Sequence, residues 1–226
     1  SGITAIGYNT LKLSTDYGSD TAVGSSVMTV ATGGSLNVAV GYASLNSLTG
    51  GLFLANSNTA IGYSAGSSQN AAYQNTKIGY AAGTSGVSSQ STSMGFRALQ
   101  TENGGGFGSS LYNTAVGNMA NSAVSTGTNN SSIGYQANYL FNTSNTVAIG
   151  TNANLAASSN NVAVGYNSLV LNNLQTNFMD VAVGSQASYL SAGSGNVTLV
   201  YQAMYGTVSA ASPSGSGNVA VGYQSI

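Results

Sequence analysis

The sequence predicts an all-β chain, a parallel β-solenoid of about thirteen coils of roughly 18 residues each. Three observations predict it. A short phrase, approximately Asn, Thr/Val, Ala, Ile/Val, Gly, Tyr, any residue, Ala/Ser, returns thirteen times in 226 residues. Within the phrase, residue types alternate as side chains do across a strand. Finally, only 3% of residues are charged, against roughly 25% in an ordinary globular chain.

The phrase centres on Gly7, Gly24, Gly41, Gly62, Gly79, Gly95, Gly117, Gly134, Gly150, Gly165, Gly184, Val200 and Gly222, with spacings between 15 and 22 residues. That period is too short for a propeller blade and lacks the leucine spacing of a leucine-rich repeat. It suits one solenoid coil, in which like positions stack about 4.8 Å apart, so that thirteen coils make a rod on the order of 60 Å long.

The phrase begins with Asn or Asp in ten copies, among them Asp20, Asn37, Asn58, Asn75, Asn113, Asn130, Asn161, Asp180, Asn196 and Asn218. Such residues tolerate turn geometry, and stacked Asn side chains form hydrogen-bonded ladders. Thr, Val or Ser follows, then a mostly small residue, then an aliphatic one in every copy, from Ile6 through Met94 to Val221. One strand face is therefore bulky and β-branched and the other nearly bare, and the bulky face is expected to fill each chain's own core.

The bare face asks for a partner, because small residues suit close approach of another backbone. We read Ala39, Ala60, Ala115, Ala148, Ala163, Ala182 and Ala220 as a subunit interface around the axis of a homo-oligomer. The alternative places this stripe in the narrow interior of a single solenoid. Lys77 stands in the same column, and a buried unpaired ammonium is very unfavourable. It must reach solvent, an acid or backbone carbonyls. Stacking also accounts for the charge deficit, since like charges recurring coil on coil repel.

Tyr or Phe follows the central position in nine copies, and Ser25, Asn118, Thr151 and Ser185 interrupt the column. Coil-on-coil packing is the simpler reading of this column, and a stacking platform for sugars the other. Ser/Gly/Asn-rich connections link the phrases. The enlarged ones carry Leu52, Phe53, Phe107, Phe178 and Tyr205, which we take as candidate receptor-binding residues because recognition concentrates in loops on a rigid scaffold. Their alternative is to fold back onto the solenoid.

Several function classes are excluded. With no His and no Cys, zinc and haem sites lose their usual ligands and triad chemistry its usual base. No metal or other cofactor is expected. The acids Asp16, Asp20, Glu102 and Asp180 are scattered, and Gly104-Gly105-Gly106-Phe107-Gly108 lacks the Lys-Ser/Thr of a phosphate loop. We expect no enzyme. A net charge of −1 gives no footprint for nucleic acid, and the apolar runs are too short for direct membrane insertion as a helix.

Thr146-Val147-Ala148-Ile149-Gly150 and Asn218-Val219-Ala220-Val221-Gly222 resemble the head repeats of trimeric autotransporter adhesins of the YadA-head type, whose hallmark is Asn-Ser-Val-Ala-Ile-Gly. Thr4-Ala5-Ile6-Gly7-Tyr8-Asn9-Thr10-Leu11 and Val162-Ala163-Val164-Gly165-Tyr166-Asn167-Ser168-Leu169 are similar still more closely to repeat arrays of bacteriophage tail-fibre and related surface-fibre proteins. The resemblance implies a left-handed parallel β-roll assembled as a homotrimer, displayed extracellularly on a virion or a bacterial cell surface. It also implies attachment to a host cell-surface glycan or protein. The coils here are longer and less equal than that family's, and Val200 replaces a central glycine.

Residues 1–226 are accordingly read as a single repeat array, a segment of a longer fibre chain: a phage tail or head fibre, or alternatively an autotransporter adhesin head. From another class, an ice-binding solenoid is considered, because Thr4, Thr21, Thr59, Thr76, Thr92 and Thr114 share one position. Val in most later copies, and the unequal connections, count against it.

Overall fold

The computed structural model describes residues 2–13, 15, 18–49, 55–70, 72–86, 88–102, 110–123, 126–140, 142–155, 159–170, 179–190, 193–206 and 216–225. It is a parallel β-solenoid, with no helix among the described residues. The phrase strands, three residues each, are Thr4–Ile6, Thr21–Val23, Val38–Val40, Thr59–Ile61, Thr76–Ile78, Thr92–Met94, Thr114–Val116, Ser131–Ile133, Val147–Ile149, Val162–Val164, Val181–Val183, Val197–Leu199 and Val219–Val221. They form one 13-stranded parallel sheet in chain order. A second sheet of five short strands, Val30–Thr32, Ser47–Thr49, Ser68–Asn70, Ser85–Gly86 and Thr101–Glu102, stacks in the same order along the N-terminal half. Ser88–Ser89 and Ser110–Leu111 make a small third one.

Register follows the phrase and not the residue count between phrases: Val147 pairs with Val162 and Val162 with Val181, across connections of different length. Hydrogen bonding continues past the strands into the turns. The amides of Ser64 and Ala81 donate to the carbonyls of Tyr42 and Tyr63 at 2.8 and 2.9 Å. Every coil therefore bends at the same place, and the central glycine is where backbones come closest. Gly165 has φ near +132°, and a Cβ there would sit 2.5 Å from the carbonyl oxygen of Gly184.

Sidedness differs from the expectation. Ala39, Ala60, Ala115, Ala148, Ala163, Ala182 and Ala220 point into the chain's own coil, each no more than 2% exposed. A residue enclosed by its own chain has no surface to offer a second one, so the interface assigned to this stripe is corrected in favour of the alternative, a narrow solenoid interior. The reason is room. The coil's opposite wall already brings in a second small column, including Ala65, Ala82, Ala98, Ala137, Ala153 and Ala187, and beside it Met28, Leu45, Leu99, Leu169 and Met204, all buried. Against that wall the sheet mostly has space for small side chains, from Ala163 to Ser132 and Thr198. The β-branched and aliphatic neighbours expected in the core face outward instead, and Ile61, Ile133, Ile149 and Val183 are exposed.

Candidate functional site

Four features carry side chains that bind or are placed under chemical constraint: a buried amide ladder, a buried lysine, an aromatic column and the outward face of the long sheet.

The ladder is made by the first residue of each phrase. The amide of Asn37 donates to Asp20 Oδ1 at 2.8 Å, that of Asn58 to Asn37 Oδ1 at 2.9 Å, and that of Asn75 to Asn58 Oδ1 at 3.2 Å. Ser91 and Thr146 take the same place at their coils. The Asn side chains also close the coil: Nδ2 of Asn37, Asn58, Asn113 and Asn130 donates to the carbonyls of Ala55, Ala72, Gly127 and Thr143. An Asn thus accepts from the next coil and donates across its own, satisfying backbone groups that have no water to turn to.

Asp180 holds a ladder place that asks for a donor it does not have when ionised. Burial pushes its carboxyl up to about 6, partly offset by the backbone amide of Asn196, which donates to it. The ladder thus explains both Asp20 and Asp180 structurally, as the sequence reading proposed. Asp16 lies outside the described residues. Among the described residues, no three His, Cys, Asp or Glu side chains gather where they would hold a metal ion, and no helix is long and apolar enough to cross a membrane.

Lys77 is buried in the alanine column. Its Nζ donates to Gln69 Oε1 at 3.0 Å and to the Gly83 carbonyl at 3.1 Å. Gln69 Nε2 donates to that same carbonyl at 2.9 Å. The ammonium therefore reaches backbone and amide oxygens, one of the three outcomes its sequence position required. Space comes from two glycines: a Cβ on Gly66 would lie 3.3 Å from Lys77 Cδ, and one on Gly83 2.6 Å from both Cδ and Nζ. Neighbouring coils carry Leu45 and Leu99 at this place.

In the aromatic column, Tyr42, Tyr63, Tyr80 and Phe96 form an unbroken stack. Successive ring centres are 5.1, 5.0 and 5.2 Å apart, with planes within 14° of parallel. The Arg97 guanidinium lies over the Phe96 ring at 5.1 Å. Tyr201 and Tyr223 stack at 5.6 Å. The faces within each stack are spent on one another, so the stacked rings have edges and hydroxyls left to offer, as the packing reading expected. A sugar platform would need open faces.

Of the residues taken as receptor-binding, Leu52, Phe53, Phe107 and Phe178 lie outside the described residues. Tyr205 is half-buried and stacks on Tyr189 at 5.1 Å, and its neighbour Met204 is buried. Met204 and Tyr205 therefore fold back onto the solenoid.

The outward sheet face is what the sequence reading placed on the wrong side. Two columns run its length, Thr/Val/Ser at the first residue of each strand and Ile/Val/Met/Leu at the third. Ile6, Val38, Ile61, Met94, Ile133, Ile149, Val183, Val219 and Val221 are all exposed. No charged side chain stands in either column. Such a strip was predictable from the aliphatic residue in every phrase; only its direction was not.

No protein-family model matches this chain, and no curated protein or solved structure does either.

Proposed function

We propose that the chain is a non-catalytic structural and adhesive segment of an extracellular fibre, assembled as a homotrimer through the outward sheet face. The observation that carries this reading is the uncharged aliphatic strip just described. Large contiguous apolar patches on soluble proteins mark interaction sites. A strip two side chains wide, in register over 13 strands, suits copies of itself arranged parallel about a long axis. Three copies are what the resemblance to adhesin-head and phage-fibre repeats implies. On that resemblance we place the chain on a virion, as part of a tail or head fibre, or alternatively on a bacterial surface. Its target is a host-surface glycan or protein reached through the long connections.

Light scattering of the purified chain tests the assembly. The expected mass is three times the 22.4 kDa of one chain, falling to one chain in Ile149→Glu/Val164→Glu, whose carboxylates would be buried at the interface. A wild-type monomer at all concentrations would sink the trimer.

One observation favours a second reading for the same face. Thr4, Thr21, Thr59, Thr76, Thr92 and Thr114 lie in one column in direct register, interrupted only by Val38. A flat Thr/aliphatic array is a surface for ordered water, and hence for ice. Thermal hysteresis by a monomeric chain, lost in Thr76→Glu, would favour this reading over attachment.

A further inference from the structure

We propose that Lys77 and Gln69 join covalently inside the solenoid. The lysine amine displaces ammonia from the glutamine carboxamide and leaves an isopeptide bond that staples the long sheet to the second one. The site is the interior of one chain, and the proposal does not depend on the trimer.

The two side chains are held as reactants. Lys77 belongs to the long-sheet strand Thr76–Ile78 and Gln69 to the second-sheet strand Ser68–Asn70 of the preceding coil. Neither is more than 2% exposed. Lys77 Nζ lies 3.0 Å from Gln69 Oε1. A C=O bond is about 1.23 Å long, so Gln69 Cδ is at most about 4.2 Å from Nζ. A small shift of the flexible lysine stem reaches the roughly 3–3.5 Å of a near-attack geometry, and the broad terminal torsion of glutamine turns the carbonyl face toward it. Nucleophile and leaving nitrogen already rest on one acceptor, because Nζ and Gln69 Nε2 both donate to the Gly83 carbonyl, at 3.1 and 2.9 Å. Gly66 and Gly83 keep the space clear: a Cβ on Gly66 would lie 3.6 Å from Gln69 Cγ as well as 3.3 Å from Lys77 Cδ.

The step balances without an outside reagent. Nζ attacks Cδ, the Nζ–Cδ bond forms and the Cδ–Nε2 bond breaks. The lysine ammonium gives up two of its three protons and keeps one. Both end on Nε2, which leaves as ammonium, so charge is conserved and nothing is oxidised or reduced. The interior is relieved of a buried charge, since a neutral amide N–H replaces the lysine ammonium, and one donor replaces two on the Gly83 carbonyl. With water excluded, hydrolysis does not compete. The proton carrier is assigned to Glu102, the one Asp or Glu between residues 21 and 179. Register puts it in the column of Gln69: Gln69 pairs with Gly86 and Gly86 with Glu102, and the residue between the two has no side chain. The new bond bridges residues eight apart on consecutive coils, so a pull along the chain is carried by the bond and not by the loop it closes.

The mass of the denatured chain tests this, because hydrogen bonds do not survive denaturation and an isopeptide bond does. After incubation of the folded protein at mildly alkaline pH, the wild type is expected to be lighter than its sequence by one ammonia. Trypsin should fail to cut after Lys77, and fragmentation should place the link between Lys77 and Gln69. Gln69→Met and Lys77→Met should keep the full mass. Glu102→Gln should form the link about 100-fold more slowly, the low end of what a positioned proton carrier contributes. Ring closure at an asparagine also releases ammonia, but it would persist in Gln69→Met. A folded wild type that keeps its full sequence mass, or an ammonia loss that persists in Gln69→Met, overturns the staple. The wild-type peptide map decides alone if a variant does not fold. An unchanged rate in Glu102→Gln overturns the role given to Glu102. Because mass is read on single denatured chains and assembly by light scattering, failure of the staple and failure of the trimer are read separately.

Discussion

The backbone amide of Asn196 donates to Asp180 Oδ1 at 2.8 Å, while Asp180 Oδ2 and Asn196 Nδ2, both buried, make no hydrogen bond. Elsewhere in the ladder a side-chain amide also reaches the preceding Oδ1, as Asn58 Nδ2 does to Asn37 at 3.2 Å and Asn130 Nδ2 to Asn113 at 3.0 Å. A carboxylate in this series is a place where acceptors outnumber donors.

That imbalance predicts a pH dependence. The folded carboxyl titrates near 6, above its ordinary 3.8, because burial disfavours the charged form. The native state therefore binds a proton more tightly than the unfolded chain does. The associated stability is fully present below about pH 4 and is lost as pH rises through 6. No Lys, Arg, Glu or other Asp lies on the neighbouring coils. Between pH 4.5 and 8 the thermal midpoint is expected to fall, by an amount on the order of 2 kcal/mol in stability. Asp180→Asn, which supplies the missing Nδ2 donor, should raise the midpoint at pH 8 and flatten the profile. A wild-type profile already flat over this range would refute the assignment.

Lys77 and Gly83 are a matched pair. In the coil centred on Gly41, Ala39 and Leu45 hold these two places, with Leu45 at φ +42°, so the fold accepts leucine where Gly83 has φ +52°. Lys77→Ala alone should leave a void and cost about 2–4 kcal/mol. Gly83→Leu alone should collide with the lysine stem. The double variant rebuilds the Ala39/Leu45 arrangement and should recover most of both losses, a coupling that calorimetry of the four proteins measures directly. Additive losses would mean that the glycine is not there for the lysine.

The repeat made strand positions, register and the Asn ladder legible, because identical residues returning at one place in each coil must stack. Sidedness was not legible. Val147 and Ile149 read as core by size, yet burial is decided by what the opposite wall leaves free, and that wall is built from Ala153 and its equivalents in a different part of each coil. The turn geometry was hidden as well. Asn9, Ala43, Arg97 and Gln136 all adopt φ near +50° at the same corner, and no single residue type marks it. Lys77 was singled out by its column, but Gln69 and Gly83, which receive it, carried no signal apart from the coil geometry.

Ser93 and Ser132 stand in the alanine column with buried hydroxyls that have no hydrogen-bond partner. An unsatisfied buried hydroxyl costs roughly 1–3 kcal/mol, whereas an alanine methyl asks for nothing. Ser132→Ala and Ser93→Ala should each raise the denaturation midpoint, and together nearly additively, since their strands are separated by that of Thr114–Val116. A lowered midpoint in either variant would show that its hydroxyl is satisfied in solution.

Ala163 tests the reversed sidedness itself. Its Cβ faces the interior between Ala148 and Ala182 in direct register, and all three are fully buried within one chain. Had the stripe lain between chains, Ala163→Leu would weaken assembly and leave each folded chain intact. Lying inside the coil, leucine must instead push the sheet away from the Ala153 and Leu169 wall. That overpacking costs about 1–3 kcal/mol in every copy, independent of protein concentration. The outward neighbour Val164 gives the opposite pattern: Val164→Glu should leave one chain's fold nearly unchanged and act on association. Denaturation of the two variants at low and high concentration distinguishes them. A concentration-independent loss for Ala163→Leu, with a concentration-dependent one for Val164→Glu, is the expected result. The reverse assignment would put the alanines back at a subunit boundary.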